Sequence, residues 1–253
     1  MKKITLLFVG ALVALLALSP VAGAKGKRHR VTVCGIVDGT STLPTTLVIA
    51  TGGTRTVTIQ NSTPVTLSAD VVVGADVCAR AKVVRNADGT KTKVLRSVKV
   101  RPAASVTATG PVTLGSGQIT VATLAFTFPD GFTLSPRITD GKVVKAFGSA
   151  ATADGPIVLK RVAKKRFGHR VHAPKNKAVK AASAIISGRV SELAAATATV
   201  AGSLKVGGIM LAIPAGKMLR AKVQDGARVT AWAVVKDDVL TLRRVVVTQR
   251  AVA

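Results

Sequence analysis

Three stretches of this chain repeat one order of short valine- and threonine-rich segments, and this order limits the folds open to it. β-Branched side chains favour strands because they lose less freedom on a pleated surface than in a helix. Five short strands leave exposed edges unless their sheet closes, so each stretch is predicted to form a small, partly open barrel. The opening segments are 33–37, 108–112 and 186–190; the middle ones are 46–51, 56–60, 118–121, 126–128, 197–201 and 209–213; the penultimate ones are 73–79, 139–146 and 224–231; the closing ones are 93–100, 157–162 and 239–247.

Turn-forming residues fall at matching places in the three stretches. The pairs at 88–89 and 154–155 are Asp-Gly and the pair at 237–238 is Asp-Asp. Such residues favour hairpin turns because they tolerate positive φ. Each opening segment also contains a glycine, which permits the first strand to bend at a crowded barrel corner. These features favour true repeats over the alternative, a series of β-meanders with chance similarity.

This combination of motifs resembles that of a known group of proteins. A glycine-containing first strand, a Gly-x-x-Val penultimate strand, an Asp-Gly turn and a valine-rich last strand are similar to exported bacterial OB-like repeat domains of unknown function. The resemblance implies an all-β fold of three tandem five-stranded OB-like barrels, at residues 31–102, 105–162 and 184–250. It supplies no catalytic residues. The basic segment 163–183 is interpreted as a flexible linker between the second and third barrels.

The chain contains two cysteines, Cys34 and Cys78, which allow one intramolecular pairing. An even number of cysteines in an exported protein indicates a disulfide. The OB-like resemblance implies that their strands, the first and the penultimate, are neighbours where the barrel closes. Cross-strand Cα separations of about 4.5–5.5 Å suit a disulfide. The alternative is a pair of free buried thiols, and the absence of a Cys-x-x-Cys pattern disfavours a redox-active role.

The N-terminal residues have the order of a secretory signal peptide. Lys2 and Lys3 precede an apolar run at 4–18, and the small residues at 22–24 form a cleavage signal. A transmembrane anchor is the alternative, but the run is short for a bilayer core that needs about 20 apolar residues. We therefore expect cleavage after residue 24 and a secreted or extracytoplasmic protein.

The chain is strongly basic, with 37 Lys and Arg against 11 Asp and Glu and a formal net charge of +26. Nine Lys and Arg stand without an acid in 160–180, the arm at 25–30 is also basic, and 105–159 has three of each sign. Concentrated positive charge attracts polyanions and releases their counterions. The predicted polyanion-binding residues are Lys25, Lys27, Arg28 and Arg30 in the arm, Lys91, Lys93, Lys99 and Arg101 in the first unit, and Lys164, Lys165, Arg166 and Arg170 in the linker.

Aromatic residues are few, which disfavours sequence-specific nucleic-acid recognition because single-stranded binding commonly needs stacking platforms. Phe126 and Phe128 alternate along one segment, so both are predicted to face one side and pack in the core. Trp232 is the only tryptophan, and we interpret it as a core residue rather than an exposed contact.

Residues suited to catalysis are scarce. Glutamate occurs once, at Glu192, most aspartates stand in turns, and the three histidines lie in basic segments. His169 and His172 are surrounded by cations, which makes a poor site for a divalent metal. We therefore expect neither an enzyme nor a bound metal or cofactor. The sequence favours a secreted binding module for anionic polymers, whether cell-wall polymer, lipid surface or nucleic acid; the alternative is a structural or spacer protein of the cell envelope.

Overall fold

The structure is a computed structural model that describes residues 30–62, 65–164 and 182–252. Strands make up all the regular structure of these residues, so the predicted all-β class is confirmed. No helix long and apolar enough to cross a membrane occurs in the described part of the chain. The predicted signal peptide, the basic arm up to residue 29 and residues 165–181 of the predicted linker lie outside the described residues.

The first five strands form a closed barrel with the neighbour order β1-β2-β3-β5-β4. Antiparallel pairing of β1 with β4 closes the ring, and β3 lies parallel to β5. Alternate side chains point inward, where Leu47, Ile49, Ile59 and Leu95 are completely buried. The strands are β1 (Arg30–Val37), β2 (Thr46–Gly52), β3 (Arg55–Gln60), β4 (Asp76–Arg85) and β5 (Lys91–Val100).

The Cys34–Cys78 disulfide is confirmed at the pairing that closes this barrel. The two cysteines are direct partners across β1 and β4, and their Cα atoms are 4.0 Å apart. Their neighbours Val33, Val77 and Ala79 are buried in the core, whereas both cysteines are only half-buried. The disulfide therefore crosslinks the outer side of the sheet.

The other ten strands form one sheet with the order β12-β13-β15-β14-β11-β6-β7-β8-β10-β9. Pairing of β6 with β9 and of β11 with β12 brings each half of this sheet back on itself. The strands are β6 (Ala104–Gly115), β7 (Gln118–Val121), β8 (Leu124–Thr127), β9 (Val143–Ala150), β10 (Ile157–Lys164), β11 (Ser183–Ala194), β12 (Gly202–Val206), β13 (Ile209–Ile213), β14 (Arg228–Lys236) and β15 (Val239–Gln249).

The two halves meet where β6 runs antiparallel to β11, from the Ala104–Gly188 pair to the Thr109–Ser183 pair. The buried side chains of both halves belong to one continuous hydrophobic cluster. Phe126 is completely buried in it, and Phe128 packs on its margin 5.3 Å from the ring of Phe132. The prediction that Phe126 and Phe128 face the core together is therefore confirmed.

The predicted strand at 197–201 is wrong, because β12 begins only at Gly202. Thr197 explains the difference through local hydrogen bonds. Its hydroxyl accepts one from the Val200 N–H at 3.0 Å, and its own N–H donates to the Val200 carbonyl at 2.9 Å. A threonine side chain that captures nearby backbone groups stabilises a turn against a strand.

The predicted role of glycine in the first strand and the predicted hairpin turns can be compared with the backbone. At Gly35, an added Cβ would overlap the carbonyl oxygen of Ala50, so the first strand needs glycine where β2 approaches it. Gly89 has φ of 82°, and Asp237 and Asp238 have φ of 50° and 58°, as hairpin turns require. Of the three predicted turns, those at 88–89 and 237–238 therefore use positive φ, whereas neither Asp154 nor Gly155 does.

Candidate functional site

A groove lined by four cationic side chains crosses the outer face of β1, β4 and β5. Arg30 lies opposite Lys82, and Thr32 lies opposite Arg80, in the β1–β4 register. Arg96 of β5 completes the set, and the pocket has a volume of about 690 Å³. We call the pocket formed around Arg30, Arg80, Lys82 and Arg96 the basic groove.

Strand alternation places these cations on the same face. Ala79 and Ala81 are buried inside the barrel, so Arg80 and Lys82 point to the outside. Arg96 reaches this face through a β-bulge, since the register jumps from the Arg80–Ser97 pair to the Ala81–Leu95 pair. A bulge inserts one unpaired residue and re-aims its side chain.

The charge of the basic groove is not neutralised by the protein. Within the described residues, none of its four cations lies within 4.0 Å of a carboxylate oxygen, because every ion pair there involves Arg101, Arg189, Lys205 or Arg228. The remaining lining residues are Val31, Thr32, Ala81 and Ser97, which carry no charge and no aromatic ring. The groove can therefore attract anionic groups without first breaking an internal ion pair.

The predicted polyanion-binding residues do not form one cluster. Of those described, only Arg30 lies in the basic groove. Lys99 is exposed and pairs in register with Cys78, whereas Lys91 and Lys93 lie toward the β4–β5 turn, opposite Arg85 and Val83. Lys164 is exposed at the end of β10. The other predicted residues, Lys25, Lys27, Arg28, Lys165, Arg166 and Arg170, lie outside the described residues.

Arg80, Lys82 and Arg96 were missed by the sequence reasoning. Alternation of alanine with cations at 79–82 is the signal that places Arg80 and Lys82 on one face of a strand. The position of Arg96 depends on the bulge, which has no marker in the sequence.

Arg101 is the remaining described residue of the predicted polyanion-binding set, and it lies in a second cationic cluster. Its Nε donates a hydrogen bond to Asp76 Oδ1 at 2.7 Å, and its Nη2 forms an ion pair with the same oxygen. Two arginines from the ten-stranded sheet share the other carboxylate oxygen: Arg228 Nη1 lies 2.7 Å from Oδ2 and Arg189 Nη2 lies 3.2 Å from it. We call Asp76, Arg101, Arg189 and Arg228 the arginine cluster.

The arginine cluster joins the β1–β5 barrel to the ten-stranded sheet. Asp76 is the first residue of β4, and Arg101 directly follows β5. Arg189 and Arg228 are direct partners across β11 and β14. Arg228 also donates to the Pro102 carbonyl at 3.1 Å. Burial lowers the pKa of Arg189 and Arg228, and the charge of Asp76 opposes that shift. Guanidinium groups remain charged in proteins, so the cluster contains three cations and one anion.

Trp232 corrects one prediction, because it is not a core residue. Its neighbours Ala231 and Ala233 are buried, and the indole lies half-buried on the opposite, outer face of β14. The Arg244 guanidinium lies 5.2 Å from the ring centroid in a cation–π arrangement. The inward positions on either side are filled by Ala231 and Ala233, so the large ring lies on the outer face, where the Arg244 cation covers it.

The described part of the chain contains no group of three or more His, Cys, Asp or Glu side chains that could hold a metal ion. Glu192 lies 3.0 Å from Lys205 in an exposed ion pair. All three histidines fall outside the described residues.

Comparisons with protein-family models, curated proteins and solved structures give no match for this chain. The OB-like resemblance therefore stays a prediction, and the functional argument depends on the geometry of the molecule itself.

Proposed function

We propose that this protein is a secreted, non-catalytic binding module that associates with anionic envelope polymers or other polyanions. The observation that carries the proposal is the basic groove, where four cations share one outer face and have no carboxylate partner among the described residues. Cations that meet polymer phosphates or sulfates release condensed counterions, which gives affinity that falls as salt rises.

The groove favours non-specific rather than sequence-specific binding. Its lining has no aromatic ring on which a base could stack, and long Lys and Arg side chains suit backbone charges. The arm residues Lys25, Lys27 and Arg28 precede Arg30 in the sequence and are proposed to add further positive charge to the polymer contact. The linker cations Lys164, Lys165, Arg166 and Arg170 are proposed as a second contact.

The proposal includes three OB-like repeats and an extracytoplasmic location. The β1–β5, β6–β10 and β11–β15 groups have the same neighbour order, first-second-third-fifth-fourth, which supports descent from one repeated unit. The Cys34–Cys78 disulfide and the signal-like residues 1–24 support export.

Retention on immobilised heparin and on isolated envelope polymer across a salt series tests the proposal. The groove variant is R80Q/K82Q/R96Q, and the matched control is R220Q/K222Q/K236Q, which removes the same charge from exposed positions outside the groove. We expect the groove variant to elute at clearly lower salt than the control variant. Equal elution of the two variants would show that bulk charge alone governs retention.

A spacer protein of the cell envelope is the second candidate function. The β6–β11 pairing and the arginine cluster support it, because both connect separate parts of the chain to one another. Failure of the unmodified protein to bind either matrix at low salt would favour the spacer function and would contradict the proposed polyanion binding.

A further inference from the structure

The arginine cluster has an excess of positive charge, and Asp76 is its only carboxylate partner among the described residues. Three guanidinium groups surround one carboxylate, which leaves two uncompensated positive charges. Arg228 is only 7% exposed, and the side chains of Arg101 and Arg189 are 19% and 23% exposed. Partly buried charges without a counterion are unfavourable, so this arrangement is suited to an additional anion.

The hydrogen-bonding groups of the arginine cluster also favour an additional anion. Asp76 already accepts from Arg101 at one oxygen and from Arg228 at the other. Arg189 Nη1 donates to the Gly226 carbonyl at 2.7 Å, whereas its buried Nη2 lies 3.2 Å from Asp76 Oδ2 as an ion pair but makes no hydrogen bond. Each guanidinium offers five N–H donors, and the three groups together have more donors than Asp76, the Gln249 amide oxygen and the Gly226 and Pro102 carbonyls accept.

A pocket of about 360 Å³ opens onto these arginines at the junction of β4, β5, β11 and β14. Its other walls are small, including Ala151, Ala153, Gly207 and Gly208, so a compact ligand can approach the guanidinium groups closely. The pocket shares no lining residue with the basic groove.

We infer that this pocket binds a doubly charged tetrahedral oxyanion of the phosphate or sulfate type. Two negative charges match the excess, and the fork of a guanidinium fits two oxygens of such an ion. The inference goes beyond the proposed polymer binding, because it concerns a different pocket and a small ligand.

Phosphate and sulfate titrations of the full-length protein test the inference, with calorimetry as the readout and chloride used to hold ionic strength constant. Inorganic phosphate and glycerol 3-phosphate form separate arms, which distinguish a free ion from a terminal phosphomonoester. The variants are R189Q and the more conservative R101K, and R220Q, at an exposed position outside both pockets, is the matched control. R80Q tests whether the heat comes from the basic groove instead.

We expect saturable binding of phosphate by the unmodified protein and by R220Q, and affinity about tenfold or more weaker in R189Q, as loss of one charge-assisted contact implies. R101K keeps the charge but loses the planar fork, so it is expected to weaken binding while the protein stays folded. The inference is overturned if phosphate and sulfate give no more heat than chloride, or if R80Q weakens binding as much as the cluster variants. Polymer retention by R189Q should remain, which separates this result from the test of the groove.

Discussion

Removal of the disulfide in a C34A/C78A variant is expected to destabilise the β1–β5 barrel by about 4 kcal/mol. The two cysteines are 44 residues apart in sequence, and the chain-entropy relation for a loop of that length gives this magnitude at 25 °C. Both side chains lie on the outer side of the sheet, so their truncation leaves the core intact. The crosslink itself therefore accounts for the expected loss of stability.

Hydrogen exchange followed by mass spectrometry measures this effect locally, which is needed because a chain with several barrels need not unfold in one step. A loss of about 4 kcal/mol corresponds to exchange faster by about 10³-fold. We expect this acceleration in peptides from β2, β3 and β5, and little change in peptides from β13. Reduction of the unmodified protein should reproduce the pattern. Acceleration of less than tenfold in the first barrel would refute the reasoning from loop entropy.

Three further substitutions test the packing and charge arguments. D76N leaves three arginines without their carboxylate and is expected to cost about 3 kcal/mol, measured as a lower Tm; an unchanged Tm would mean that solvent already screens the cluster. G35A should cost several kcal/mol because its Cβ would overlap a carbonyl oxygen of β2, whereas G39A, with no atom within 4 Å of the added Cβ, should be tolerated; equal effects in urea unfolding would contradict the close approach. F126A empties a fully buried position and is expected to cost about 3–5 kcal/mol, and W232A on the outer face should cost less; the reverse order of Tm values would contradict the placement of Trp232 outside the core.

Local patterns in the sequence were sufficient to predict many of the strands and the disulfide. The segments at 118–121 and 209–213 coincide with β7 and β13, since each is a short run rich in β-branched and apolar residues that begins directly after a glycine. The pairing of Cys34 with Cys78 also followed, because only two cysteines are present. The strand predicted at 197–201 does not form, because the local hydrogen bonds of Thr197 stabilise a turn there.

The functional surfaces were harder to predict because they depend on tertiary geometry. Asp76 and Arg228 are 152 residues apart, and no local pattern indicates that they form an ion pair. Trp232 was assigned to the core, but the inward positions on either side of it in β14 are occupied by Ala231 and Ala233, which leaves the indole on the outer face. Arg96 depends on a bulge, whose effect on side-chain direction cannot be obtained from alternation alone.

The salt dependence of affinity for a polyanion of known charge density tests the role of the basic groove most directly. Binding to a mixed-sequence DNA duplex would be measured by fluorescence anisotropy at several salt concentrations for the unmodified protein and R80Q/K82Q/R96Q. Each lost phosphate contact lowers the magnitude of the slope of log K against log salt by about 0.9. We predict that the triple variant loses between two and three units of slope, or about 2.7 if all three cations engage phosphates. An unchanged slope would show that these residues do not contact the polymer and would contradict the proposed function of the groove.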